Sequence, residues 1–188
     1  MSKNNSSKLS KILSHALRHE PETYGLELQE GGWVRLDILI ASLKKVVDGF
    51  SNLKESDIFK MIETSEKKRH EINGNLIRAI YGHSAKIPIN YEVSIPPSLL
   101  YHGTVKKSLQ SILSKGLRPI NRSYVHLSSE KGAAFIAAKR KTSKPVILRI
   151  YATDANSEGI KFHLVNDKVW LTKFVPSKFI SVTVSNEN

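Results

Sequence analysis

Two histidines, a threonine and two arginines fall in one stretch: Tyr101-His102-Gly103-Thr104, then Arg118 and Arg122, then Val125-His126-Leu127-Ser128. Imidazoles and hydroxyls can donate to and accept from a nucleotide, and guanidinium groups match phosphate oxygens with two parallel N–H donors. The combination points to phosphate or nucleotide handling. Two further arginines lie upstream in chemically suggestive places, Arg18 next to His19 at a helix end and Arg69 at the entrance to a hairpin. Sequence spacing alone does not bring them together.

Several chemistries lack their motifs. There is no Walker loop, no G-x-G-x-x-G and no G-x-S-x-G elbow. His15 and His19 have the spacing of a helical metal pair, but no metalloprotease glutamate accompanies them and the chain has no cysteine. No metal is expected.

The elements that must position these groups follow from apolar periodicity. In the central stretch, Leu99–His102 has strand character, Gly103 suits a turn and Thr104 suits an N-cap. Leu109, Ile112 and Leu113 recur at helical spacing, Gly116 suits the helix stop, and Tyr124–Ser128 returns as a strand.

Upstream, Ser6 or Ser7 can cap a helix with Leu9, Ile12, Leu13, Ala16 and Leu17 on one face. That wheel sets His19 at the stripe's border and Arg18 roughly opposite, and Pro21 closes the helix. Leu26 and Leu28 alternate, and Trp33-Val34 is extended. Asp37 and Ser56 suit caps for two more helices, carrying Leu39, Leu43, Val46 and Val47, then Ile58, Met61 and Ile62. Asn73-Gly74 signals a hairpin between the strand before it and Leu76–Ile80. Three helices followed by a hairpin is the element order of a winged helix.

Gly82-His83-Ser84 and the proline-bearing segment from Ile87 to Pro97 read as an interdomain connection. Beyond it, a helix starts at Ser128 or Ser129 and runs to Lys139-Arg140-Lys141. Strands follow at Pro145–Ala152, Ile160–Val165, Val169–Val175 and Phe179–Val184. Two short helices on an otherwise β lobe give an α+β protein. The expected domains are 1–87, a linker 88–98, and 99–188.

Composition narrows the partners. The 188-residue chain has a formal net charge of +12 and 40% hydrophobic residues. Residues 1–87 hold 14 of the 29 basic and 11 of the 17 acidic side chains, so most of the positive excess lies in residues 88–188. A polyanionic partner is expected. No apolar stretch reaches membrane-spanning length and Met1–Ser10 has no signal-peptide core, consistent with a cytoplasmic protein without a membrane partner.

The ordered set Ser14-x-x-Leu17-Arg18-His19-x-Pro21, Lys67-Lys68-Arg69, Gly82-His83-Ser84, Tyr101-His102-Gly103-Thr104, Arg122-x-x-Val125-His126-Leu127-Ser128 and Val169-Trp170-Leu171-Thr172 closely resembles the RNA (tRNA) 2′-phosphotransferase family, the KptA group. The resemblance spans nearly the whole chain. It implies an N-terminal winged-helix lobe and a C-terminal ADP-ribosyltransferase-like lobe. It also implies consumption of NAD⁺ as co-substrate and an RNA substrate bearing a 2′-phosphate, tRNA-like and acted on by a monomer.

The family's catalytic set would fall on Arg18, His19, Arg69 and Arg122. His102, Gly103 and Thr104 would hold NAD⁺, with His126 and Ser128 lining the same cleft. The reaction implied passes through a 2′-phospho-ADP-ribosylated RNA and yields 2′-hydroxyl RNA, nicotinamide and ADP-ribose 1″,2″-cyclic phosphate. This chain departs from the family in carrying His70 where an aromatic often follows the arginine, and Ala138-Lys139-Arg140 where Gly-x-Arg is usual.

The residues alone leave three other readings open. One is an NAD⁺-independent endoribonuclease using His102 and His126. Another is a non-enzymatic RNA-binding module, and the third an ADP-ribosyltransferase acting on terminal phosphates.

Overall fold

The structure, a computed structural model, describes residues 3–83, 89 and 91–183. Ser84, Ile87, Pro88 and Val184, which carried sequence expectations, lie outside the described residues. The chain forms two compact units, residues 1–90 and 91–188, in a mixed α and β architecture.

The first unit is built on helix α1 (Lys3–Arg18), whose Leu9, Leu13, Ala16 and Leu17 are fully buried. The apolar stripe is the one the periodicity predicts, although the helix begins before Ser6. Strand β1 (Val34–Arg35) leads into α2 (Leu36–Val46), and α3 (Glu55–Glu63) follows. Leu39, Leu43, Ile58 and Met61 from α2 and α3 pack with α1 into one core.

Neither expected cap is used. Asp37 lies inside α2 and pairs with Arg35, whose Nε donates to Oδ1 at 3.1 Å. At α3 Ser56 lies inside the helix, and the Asp57 carboxylate reaches back to the Lys54 N–H at 2.9 Å. Leu26 and Leu28 lie outside the strands.

Strands β2 (His70–Asn73) and β3 (Leu76–Ala79) form the hairpin, joined through Gly74-Asn75 with Gly74 at φ +59°. Glycine takes that left-handed geometry without Cβ strain. The sheet order is β1-β3-β2, antiparallel throughout. Ile89 is buried in this unit.

The second unit holds a sheet of order β7-β8-β5-β4-β6-β9, also antiparallel. Its strands are β4 (Leu99–Val105), β5 (Val125–Ser128), β6 (Pro145–Tyr151), β7 (Phe162–Asn166), β8 (Val169–Thr172) and β9 (Ile180–Val182). Leu100, Leu148 and Ile150 are fully buried on one face, packed with Ile112 of α4 (Lys106–Lys115) and Ala152 and Ala155 of α6 (Ala152–Ser157). Helix α5 (Lys131–Lys139) packs on β4 and β6. Tyr91–Ser94 is built into this unit: the Ser94 N–H donates to the Phe162 carbonyl at 2.8 Å.

Three sequence expectations are corrected here. β4 runs straight through Gly103 and Thr104, so the turn lies later and Val105, not Thr104, sits at the cap position of α4. Gly103 is required by packing. A Cβ there would overlap the Ala134 carbonyl oxygen and come within 2.6 Å of the Ala138 Cβ of α5. The second unit also carries a third helix, α6, where Ala152 was expected to end a strand; its short run offers too few residues to show a helical period. Among the described residues, no helix is long and apolar enough to cross a membrane.

Candidate active site

In the first unit, Arg18 closes α1 and is 9% exposed, not turned away from the apolar stripe as the wheel suggested. Its Nη2 donates to the Arg69 carbonyl oxygen at 3.1 Å, and its Cζ lies 5.3 Å from the Tyr81 ring centroid. Gly82, at φ +90°, lets the chain pass close by, since a Cβ there would meet Arg18 Nη1 at 3.3 Å. Hairpin and following turn thus cover a helix face that the helix alone would leave to water.

His19 follows the last helical residue and is exposed. Its ring stands 6.1 Å from that of His15, which is hydrogen-bonded to the Tyr24 hydroxyl at 3.1 Å. Arg69 immediately precedes β2, and its carbonyl also accepts the Ile80 N–H at 2.9 Å.

Two buried imidazoles complete this neighbourhood. His70, 4% exposed, shares a 3.2 Å hydrogen bond between Nε2 and Ser14 Oγ. Burial first, then the charges of Arg18 and Arg69, pushes its pKa down to about 3. His83, 3% exposed, is pushed down to about 4 by burial, then by Arg18, His19 and Arg78. Both are therefore neutral near pH 7. The groups whose positive charge depresses them include Arg18, Arg69 and, when protonated, His19, so three of the four expected catalytic residues share one locality. Such a locality favours an anion and can supply it with several donors.

In the second unit, β4 and β5 pair at Tyr101↔Ser128 and, among the described residues, at no other position. β4 pairs with β6 over its full length, and β5 with β8 from Val125 to Ser128. The sheet is therefore seamed between β4 and β5. His102 Nδ1 donates across the seam to the His126 carbonyl at 2.9 Å, and His126 Nδ1 donates to the Tyr124 carbonyl at 3.2 Å. Carbonyl acceptors fix both rings with the proton on Nδ1. Burial is the main influence lowering the His102 pKa; the His126 carbonyl opposes it and Lys141 adds to it.

Strand alternation sorts the expected dinucleotide residues onto two faces. Gly103, His126 and Ser128 share one face with Tyr101, while His102 and Thr104 share the other with Leu100. Thr104 and Ser128 are buried, and Ser128 Oγ accepts the Glu130 N–H at 3.1 Å ahead of α5. Arg122 is exposed on the loop before β5, in the second unit.

His70 and Tyr81 were not assigned roles from the sequence. Their signal was adjacency: His70 follows Arg69 and alternates with Ile72, and Tyr81 precedes Gly82-His83.

Comparison with known proteins identifies the family. The model of the RNA 2′-phosphotransferase, Tpt1/KptA family matches residues 4–174. A protein of Acetivibrio thermocellus named "Probable RNA 2′-phosphotransferase" is 49% identical over 174 residues, covering 93% of this chain and 95% of that protein. One of Bacillus thuringiensis subsp. konkukian with the same name is 47% identical, covering 93% and 94%. Another of Streptomyces coelicolor is 40% identical over 173 residues, covering 92% and 93%. With a family match across most of its length and relatives this similar, the chain belongs to the RNA 2′-phosphotransferase, Tpt1/KptA family.

Proposed function

We propose that this enzyme removes an internal 2′-phosphate from RNA, of the kind left at a tRNA splice junction, and consumes NAD⁺ in doing so. The observation that carries the reading is the Arg18–His19–Arg69 locality, two guanidinium groups and an exposed imidazole beside two buried imidazoles. The helix, strand, two helices and hairpin of residues 1–87 support a winged-helix reading of that lobe. The seamed antiparallel sheet supports an ADP-ribosyltransferase-like reading of residues 99–188.

In this reading His102, Gly103 and Thr104 of β4 and His126 and Ser128 of the neighbouring β5 hold NAD⁺, as family membership suggests. NAD⁺ supplies an activated ribose with nicotinamide as leaving group.

In the first step an oxygen of the RNA 2′-phosphate bonds to the anomeric carbon as the bond to nicotinamide breaks. A phosphate monoester with a second pKa near ~6 is already mostly dianionic at pH 7, so no general base is required. The arginines hold that phosphate in line. In the second step the neighbouring ribose hydroxyl attacks phosphorus, the bond to the RNA 2′-oxygen breaks, and a proton passes from the attacking hydroxyl to the departing oxygen. His19 is the proton carrier in this reading. Arg18, Arg69 and Arg122 meet the negative charge growing on the phosphoryl oxygens, each well-aimed donor contributing about 3–4 kcal/mol.

The test is incubation of the protein with a 2′-phosphorylated oligonucleotide, with and without NAD⁺. The expected result is one nicotinamide and one ADP-ribose 1″,2″-cyclic phosphate per 2′-hydroxyl RNA formed, and no conversion without NAD⁺. Dephosphorylation or strand cleavage without NAD⁺ overturns the reading.

A further inference from the structure

Helix α4 ends at Gly116, which adopts φ +80° and lies against Phe174; a Cβ there would come within 2.5 Å of both the Phe174 ring and the Val175 carbonyl oxygen. Leu117 and Val175 then bridge through two backbone hydrogen bonds, 2.8 Å and 3.0 Å. Glycine and bridge together fix Phe174 and Lys173 beside the loop that follows α4. Arg118 Cζ sits 4.2 Å from the Phe174 ring centroid, and Lys173 Nζ sits 5.2 Å from that of Tyr124. Tyr124 is itself held edge-on by Tyr91 and His163, at 5.4 Å and 5.6 Å.

Two exposed cations are thus docked on two anchored rings. Among the described residues neither Arg118 nor Lys173 pairs with a carboxylate. From Tyr101 to Ser129 the sequence has no acidic residue, while it has Lys106, Lys107, Lys115, Arg118 and Arg122. Ile120, 90% exposed, stands in the same loop. A guanidinium stacked on a ring uses its face and keeps its in-plane N–H donors for an anion.

We propose that Arg118–Phe174 and Lys173–Tyr124 form a track for the ribose-phosphate backbone of single-stranded RNA flanking the phosphorylated nucleotide. The assignment rests on the reading above that the substrate is RNA. A 2′-phosphate inside a chain has nucleotides on both sides, so the polyanion must lie along the protein. The rings hold the two cations in place, and cations so held bind the phosphates of a single strand through charge.

The experiment is fluorescence anisotropy of a labelled single-stranded RNA of about 12 nucleotides with one internal 2′-phosphate, titrated without NAD⁺ across roughly 0.05 to 0.3 M salt. The double variant Arg118→Ala/Lys173→Ala is compared with wild type. Arg118→Gln/Lys173→Gln keeps bulk on the rings should the alanine variant unfold. Lys44→Ala/Lys45→Ala, at the exposed end of α2, removes equal charge elsewhere. Losing two phosphate contacts lowers the slope of log affinity against log salt by about 1.4, at about 0.7 per contact on a single strand, and weakens binding. Lys44→Ala/Lys45→Ala is expected to change the slope by less than half of that.

An unchanged slope in both Arg118/Lys173 variants, an equal fall in Lys44→Ala/Lys45→Ala, or no RNA binding by wild type overturns the track. Wild-type product formation with an unchanged variant slope defeats the track alone. A lowered slope with no NAD⁺-dependent product defeats the enzymatic reading alone.

Discussion

Arg18 and Arg69, 51 positions apart in sequence, are joined by a hydrogen bond from the Arg18 guanidinium to the Arg69 backbone carbonyl, 3.1 Å long. A neutral acceptor holds the guanidinium in place without cancelling its charge. The same carbonyl is shared with the Ile80 N–H, so the end of α1, the entry to β2 and the exit from β3 are tied at one oxygen.

Arg18→Lys keeps the charge but loses the planar fork. Activity on 2′-phosphorylated RNA is expected to fall about 10²–10³-fold, the cost of one transition-state donor. Steady-state kinetics with an unfolding curve on the same sample checks this, and a loss of less than threefold would show that charge alone suffices.

His19→Ala and Arg122→Ala should separate the two steps. Turnover is expected to drop about 10²–10⁴-fold for the histidine variant, with nicotinamide still released and RNA-2′-phospho-ADP-ribose accumulating. Rapid-quench product analysis reads both quantities. If nicotinamide release is lost in parallel with turnover, neither residue acts at the second step.

Gly103→Ala places a methyl group against the Ala134 carbonyl of α5, a backbone atom that can yield only by shifting the helix. Overpacking of this kind costs about 1–3 kcal/mol, and the backbone partner puts this case at the upper end. Thermal unfolding should show a fall of roughly 12–24 °C in the transition of the second unit. An unchanged transition would mean that α5 does not seat on β4.

His70 and His83 make stability depend on pH. Their folded pKa values, about 3 and about 4, lie below the ordinary 6.5, so the unfolded chain binds protons more readily than the folded one. Stability is therefore full above about pH 6.5 and declines as pH falls toward 4, by up to ~1.4 kcal/mol per pH unit for each group. Urea midpoints at pH 7, 6 and 5 measure the slope. His70→Phe should remove one proton's share of it; an unaltered slope would show that His70 is not the buried group responsible.

Much of the architecture was legible because it rests on periodicity. The buried face of α1, the alternation along β6 and the hairpin after His70 follow from 3.6- and 2-residue repeats and a glycine turn. Helix starts were less legible. Ser6, Asp37 and Ser56 are all good caps locally, yet each helix begins before its expected cap; Asp37 pairs with Arg35, and at α3 it is Asp57 that serves the Lys54 N–H.

The candidate site divides along the same line. The sequence by itself determined which residue types are present, their order, and the family they belong to, since these are properties of the chain read end to end. Tertiary structure alone decided that Arg18 is buried under Tyr81 and Gly82, that Gly103 lies in a strand beneath α5, and that His70 and His83 are neutral. A helical wheel reports a residue's angle from its own apolar stripe, but whether a side chain is buried, and what its charge then costs, depends on segments that arrive from elsewhere in the chain.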